Sequence, residues 1–271
     1  RERSNMADEK PKLKIGDRLI GEGEKVYFIA EIGINHNGNP EMARQLIEVA
    51  AQAGADAVKF QKRDLRAQFS EATLENLANG DKELQFVIPF IQQAELADTD
   101  FRRLKDYARD QGLEFLCTAW DQATGDYLAE LELQALKVAS ADLTNDLLLE
   151  HLAALGLPLI VSTGMSTLEE IKDAINLIGE DDLILCHATS SYPCPPEELN
   201  LNMIHTLRDM FNCPIGYSGH EVGLVTSVVA VAMGACLVER HITLDRSMWG
   251  SDQSASVEPQ GVRSLVKYIR V

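Results

Sequence analysis

Short runs of apolar residues, each followed by a longer stretch with one apolar stripe, recur along almost the whole chain. The runs Val26–Ile32, Ala57–Gln61, Leu113–Thr118, Ala135–Ser140, Leu159–Thr163, Leu183–Ala188, Ile215–Ser218 and Cys236–Ile242 are rich in Val, Ile and Leu and alternate little. Parallel strands covered on both faces read this way. Between them, apolar residues at helical spacing predict helices over Pro40–Ala53, Asp98–Gln111, Asp121–Leu131, Asn145–Leu155, Leu168–Ile178, Glu197–Phe211, Val222–Met233 and Pro259–Val271. Ser166 with Glu169 three residues on has capping-box spacing. Gly54, Gly112, Gly156, Gly179 and Gly234 follow helix ends, where a left-handed residue closes the last turn.

Eight strands alternating with eight helices predict an α/β fold, a (β/α)8 TIM barrel. An open doubly wound sheet fits the strand count, but the chain lacks a GxGxxG turn after the first strand. Two segments break the alternation. Leu13–Gly23 reads as a β-hairpin capping the barrel's bottom, and Lys62–Ala97 as a long insertion after the second strand. On a barrel's active face such an insertion commonly serves as a lid or binding loop. The expected division is residues 1–23 as polar tail and capping hairpin and 24–271 as catalytic barrel, with Met6 read as the native start.

Composition narrows the function classes. Of 271 residues, 45% are hydrophobic and 25% charged, which excludes disordered, collagen-like and coiled-coil classes. The net charge of −17 argues against nucleic acid and anionic membranes as partners. No stretch reaches the roughly 18 continuous apolar residues of a membrane helix. Five scattered cysteines without metal-type spacing point to a reducing, cytoplasmic setting.

Chemistry gathers where the strands end. The polar residues there are Glu31, Lys59, Gln61, Thr118, Lys137, Ser140, Ser162, Thr163, His187, Ser190, Tyr192, Ser218, His220, Glu239 and His241. Lysines inside the apolar runs around Val58 and Leu136 need either a carboxylate on a neighbouring strand or an anionic ligand. With serines and threonines at adjacent ends, phosphate or carboxylate binding becomes the better reading. His220 and His241 end neighbouring strands, with Glu239 and Asp252 nearby, and fit an open site for Mn²⁺, Mg²⁺, Fe²⁺ or Zn²⁺. His36 is placed to line the site, whereas His151 and His205 fall in helices and read as structural. Lys59, Lys137 and a divalent cation would concentrate positive charge at the barrel mouth. The acidic excess falls in helices and loops such as Glu130–Glu132, Glu169–Glu170 and Glu180–Asp182.

Taken together, Glu31-Ile-Gly-Ile-Asn-His-Asn-Gly38, Val58-Lys-Phe-Gln61, Lys137-Val-Ala-Ser140, Ser162-Thr-Gly-Met165, Thr189-Ser-Ser-Tyr-Pro193, Gly216-Tyr-Ser-Gly-His220, Glu239-Arg-His-Ile-Thr243 and Gly250-Ser-Asp-Gln-Ser-Ala-Ser256 resemble the sialic acid synthases. These are phosphoenolpyruvate-dependent nonulosonate synthases with a barrel catalytic domain. The resemblance implies condensation of phosphoenolpyruvate with an open-chain aldose, N-acetylmannosamine or its 6-phosphate, followed by loss of inorganic phosphate through C–O cleavage. Carried over by motif, Lys59, Thr118, Lys137, Ser140, Ser162 and Ser190 would hold phosphoenolpyruvate, and Gln61, Tyr192, Glu239 and Asp252 would contact the sugar. His220 and His241 would bind the divalent metal, Mn²⁺ or Mg²⁺, and Glu31 would sit where charge and protons move. A homodimer is implied as well.

Three features depart from the pattern. Ser190 stands where family members often carry Asn, and Gln253 replaces a basic residue after the aspartate. The family's C-terminal antifreeze-like domain, which gives an arginine to the partner's sugar site, is expected to be absent. Other acceptors (mannose or its 6-phosphate, a bacillosamine-type sugar, a pentose phosphate) keep the same chemistry. A metal-dependent hydrolase is disfavoured because no His-x-His pair follows the first strand. A non-catalytic sugar-binding relative would have little reason to keep so many costly polar groups in a barrel core.

Overall fold

The computed structural model describes residues 10–271; the polar stretch 1–9 and the Met6 start lie outside the described residues. The apolar runs become eight parallel strands, β3 (Tyr27–Gly33), β4 (Ala57–Lys62), β5 (Glu114–Ala119), β6 (Leu136–Val138), β7 (Leu159–Ser162), β8 (Leu183–Ala188), β9 (Ile215–Gly219) and β10 (Leu237–His241). They pair in sequence order, and β10 closes on β3 to complete the barrel. The (β/α)8 expectation and the structure agree.

Alternate residues along each strand face opposite ways. Phe28, Ala30, Val58, Phe60, Phe115, Cys117, Val161 and Leu185 point outward into one large core shared with the helices. Tyr27, Ile29, Ala57, Leu116, Ala135, Ile160, Ile184 and Leu237 point inward near the strand starts. The next inward residues toward the strand ends are Glu31, Lys59, Thr118, Lys137, Ser162, Ser218 and Glu239, all buried. The barrel interior therefore has apolar lower layers and a polar upper one, which is where barrel enzymes work.

A hairpin of β1 (Leu13–Ile15) and β2 (Arg18–Ile20) sends Leu13, Ile15 and Ile20 into the lower layer. It seals the bottom and leaves the top as the open end.

Each strand is followed by at least one helix: α1 (Pro40–Ala53) after β3, then α2 (Leu65–Gln68), α3 (Glu71–Glu75), α4 (Lys82–Ala94) and α5 (Asp98–Asp110) after β4. The remaining helices are α6 (Gln122–Glu130), α7 (Asp146–Ala154), α8 (Leu168–Ile178), α9 (Met203–Met210), α10 (Val225–Ala232) and α11 (Pro259–Tyr268). Asn39 caps α1 by accepting from the backbone of Glu41 and Met42, and Gly54 ends it in the left-handed region at φ 78°.

Two local expectations are corrected. The capping box on α8 is Thr167 with Glu170, one residue later than Ser166 with Glu169, because Ser166 turns back to the Gly164 carbonyl. Both pairs satisfy the same spacing rule. The helix expected over Glu197–Phe211 divides into a short turn, Pro196–Glu198, and α9, interrupted where Asn200 takes a positive φ of 42°. The insertion after β4 is helical and docks on the active face: Ile88, Phe90 and Ala94 are buried, and Phe90 meets Ile34 and the Trp249 ring edge. No helix among the described residues is long and apolar enough to cross a membrane, and all five cysteines are buried free thiols.

Candidate active site

The polar upper layer opens into a cavity of about 260 Å³ lined by Glu31, Lys59, Gln61, Thr118, Lys137, Ser140, Ser162, Ser190, Tyr192, Ser218, His220, Glu239 and His241. Twelve of the thirteen residues carried over by motif thus meet at one place. Strand register produces the convergence, since Glu31 lies opposite both Lys59 and His241 on its two neighbours. In the same way Thr118 lies beside Gln61 and Lys137, and Ser218 beside Glu239. The thirteenth, Asp252, sits just behind, its carboxylate 3.8 Å from His241 Nδ1.

The two lysines differ. Lys59 Nζ lies 2.9 Å from Glu31 Oε2 and 3.6 Å from Glu239 Oε1, and donates to Thr118 Oγ1 at 2.9 Å. Burial alone would depress its pKa, but the carboxylates of Glu239 and Glu31 outweigh burial and raise it. Among the described residues no carboxylate contacts Lys137; its Nζ donates to Ser162 Oγ at 2.6 Å and to the Val138 carbonyl at 2.7 Å. Burial dominates there and its pKa is lowered, with the Lys59 charge pushing the same way. Glu239 is held below the usual carboxylate range, because the Lys59 and Lys137 charges overcome the opposing effect of burial. The two lysines face two carboxylates, so positive charge is less concentrated than the sequence suggested. Of the two lysines, Lys137 is the less neutralised and so the stronger attraction for an anion.

Two glycines let the walls close in. Gly33 has φ 54°, and a Cβ there would come 3.0 Å from Glu31 Oε1 and 3.1 Å from Gln61 Nε2. A Cβ on Gly164 would lie 2.5 Å from Ser190 Oγ and 2.8 Å from Ser140 Oγ, so its absence brings those hydroxyls together. The Gly164 N–H also donates to Ser140 Oγ at 3.1 Å.

His220 has a defined tautomer. A carbonyl can only accept, so His220 Nδ1 donates to Thr189 O at 2.8 Å, leaving Nε2 to accept from the Tyr192 hydroxyl at 2.9 Å. Burial, with a smaller contribution from His241, lowers its pKa to about 4, so the imidazole is neutral at physiological pH. The His241 ring centre is 5.5 Å away, and among the described residues its buried Nδ1 has no hydrogen-bond partner. A neutral imidazole whose lone pair is held only by the Tyr192 hydroxyl, beside an unsatisfied imidazole nitrogen, suits a divalent cation that takes that hydroxyl's place. Among the described residues no three His, Cys, Asp or Glu side chains converge on one point, so the remaining ligands would be water or substrate.

Some expectations change and some residues emerge only in three dimensions. His36 does not line the cavity: it is buried, its Nδ1 accepts from the Gly38 N–H, and its ring packs against Phe60. His187 points outward and hydrogen-bonds the Leu199 carbonyl at 2.7 Å. His151 binds Asp126 at 2.8 Å, the structural role expected of it. Gln253 is fully buried and ties the loop carrying Asp252 to the rest, through the Asn35 carbonyl at 3.1 Å and the Thr243 hydroxyl. Trp120 and Met165 line the cavity from loops, where strand patterning gives no signal.

Comparison with known proteins adds an independent line. A NeuB family profile matches residues 46–271. An uncharacterized protein of Methanocaldococcus jannaschii is 41% identical over 263 residues, spanning 96% of this chain and 74% of the relative. The N,N'-diacetyllegionaminic acid synthase of Legionella pneumophila is 38% identical over 264 residues, with coverage of 94% and 74%. A crystal structure of N-acetylneuraminic acid (sialic acid) synthetase from Leptospira borgpetersenii, in complex with citrate, superposes with a TM-score of 0.87 at 34% identity. It covers 96% of this chain and 88% of that one.

Proposed function

The chain belongs to the NeuB family of phosphoenolpyruvate-dependent nonulosonate synthases, and we propose that its acceptor is N-acetylmannosamine or N-acetylmannosamine 6-phosphate. The observation that carries the site assignment is the meeting of Glu31, Lys59, Lys137, Glu239, His220 and His241 in one cavity at the strand ends.

In the proposed reaction the methylene carbon of phosphoenolpyruvate attacks the aldehyde carbon and a C–C bond forms. Positive character then develops at carbon 2, water adds there, and the C–O bond to phosphate breaks, releasing inorganic phosphate. Phosphoenolpyruvate carries about three negative charges, mostly on its phosphate. Lys137 and Lys59, with the hydroxyls of Thr118, Ser140, Ser162 and Ser190, would hold it and fix the line of attack. Gln61, Tyr192, Glu239 and Asp252 would orient the sugar.

Glu31 is buried and in contact with Lys59 and Gln61. From there its carboxylate would stabilise the cationic carbon or take a proton from the entering water. A divalent cation held by His220 and His241 would supply Lewis acidity toward the aldehyde oxygen. Buried free thiols favour a reducing cytoplasm, and the resemblance favours a homodimer.

A second acceptor, a bacillosamine-type sugar, is favoured by the legionaminic acid synthase among the relatives. Phosphate release from phosphoenolpyruvate and Mn²⁺, measured across a panel of aldoses with the product mass read in each case, separates the two. The proposed acceptors should give the highest kcat/KM. No release with any aldose overturns the function.

A further inference from the structure

Arg63 follows β4 and does not line the cavity, yet it is joined to it by a directed chain of hydrogen bonds. Its Nη2 donates to Gln61 Oε1 at 2.7 Å, and Gln61 Nε2 donates to Glu31 Oε1 at 3.1 Å. Glu31 Oε2 in turn takes the Lys59 ammonium at 2.9 Å. A guanidinium can only donate and an ionised carboxylate can only accept. The nearly symmetric amide between them therefore has one permitted orientation, carbonyl toward Arg63 and NH2 toward Glu31.

The guanidinium is itself fixed. It lies over the Trp120 ring at 4.4 Å from the centroid, and its Nε is 3.5 Å from Glu95 Oε1. Only 7% of the side chain is exposed. Burial of a guanidinium without a tight carboxylate partner is costly, which favours a use for it.

We propose that Arg63 is a positioning residue that locks the Gln61 amide, so that the acceptor sugar meets one N–H and one carbonyl lone pair in fixed places. The inference rests on the proposed reading in which Gln61 contacts the sugar. Arg63 touches no reacting atom; it acts through Gln61, and this dependence gives the test.

The experiment compares Arg63→Met, Arg63→Lys, Gln61→Ala and the double variant Gln61→Ala/Arg63→Met by steady-state kinetics. Alongside, the Gln61 side-chain amide is followed by nitrogen-15 NMR, assigned by its loss in Gln61→Ala. Removing a charge-assisted hydrogen bond should raise the acceptor KM of Arg63→Met by roughly tenfold. The KM for phosphoenolpyruvate should change by less than about twofold, because Arg63 acts only through Gln61. Arg63→Lys keeps a donor without the fork, so its acceptor KM should rise by only about threefold; this variant carries the test if Arg63→Met does not fold. In the Gln61→Ala background, Arg63→Met should add nothing. The Gln61 amide resonances should shift and broaden in Arg63→Met.

Additive effects in the double variant, a phosphoenolpyruvate KM that rises as much as the acceptor KM, or unchanged amide resonances would overturn the proposal. If the unmodified protein turns over no aldose, the functional reading fails, whereas the NMR comparison still decides whether Arg63 fixes Gln61.

Discussion

Arg240 and Glu221 form an ion pair, Nη1 to Oε1 at 2.8 Å, with both side chains shut off from water. Each is the chain neighbour of one of the two histidines at the cavity. Arg240 also donates to the carbonyls of Glu221 and Gly223 and to Ser227 Oγ, while Glu221 accepts from Tyr217, Thr226 and Ser227. The pair bridges the ends of β9 and β10 behind His220 and His241. It therefore fixes the backbone from which both imidazoles project.

Removing one partner leaves a buried charge unpaired. Arg240→Met should cost about 3–5 kcal/mol of stability. Urea unfolding of the variant measures this; a loss below about 1 kcal/mol would mean that the pair is relaxed or hydrated in solution.

Lys137 sets an alkaline limit. Its folded pKa is lowered by burial, so as pH rises its ammonium is lost before an ordinary lysine near 10.4 would titrate. In the free enzyme kcat/KM for phosphoenolpyruvate should fall through that lowered pKa. Lys59 titrates higher and should not contribute. Lys137→Arg, whose guanidinium stays charged, should lose the limb even if its overall rate is reduced. A limb that persists in this variant assigns it to another group.

Gly164 makes a sharper steric prediction. Adding a methyl group would press on both Ser140 and Ser190. Gly164→Ala should raise the KM for phosphoenolpyruvate by roughly tenfold to a hundredfold. Its effect on the acceptor KM should be much smaller. Equal effects on the two substrates would argue against a phosphoenolpyruvate site at these hydroxyls.

The cation assignment can be checked without turnover. Mn²⁺ titrated into chelator-treated protein, followed by electron paramagnetic resonance, should show one site. His220→Ala or His241→Ala should weaken it by more than about a hundredfold. Unchanged affinity in both variants would move the cation elsewhere.

How much of this could be read from the chain alone follows from where each signal lies. Strands covered on both faces are nearly continuous apolar runs, so Lys59 and Lys137 stand out against Val58, Phe60, Leu136 and Val138. Register then converted separate strand ends into one cavity. Loop residues carry no such periodicity, which hid Trp120 and Arg63. The short-range rules were also ambiguous: Ser166 with Glu169 and Thr167 with Glu170 obey the same capping pattern, and tertiary contacts chose the second. His36 has the composition of a site residue, but its ring turns onto Phe60. Lys59 pairs with both Glu31 and Glu239, and the second lies far beyond any local pattern in the chain.

In the proposed reaction a carbon–carbon bond forms from phosphoenolpyruvate with C–O cleavage at the cavity built around Glu31, Lys59 and Lys137. The direct measurement uses phosphoenolpyruvate with an isotopically labelled bridging oxygen, Mn²⁺ and N-acetylmannosamine or its 6-phosphate, with both products analysed by mass spectrometry. The label should leave entirely in inorganic phosphate, and the organic product should have the mass of the aldose plus pyruvate. Label retained in the organic product, or free pyruvate without condensation, would contradict the account.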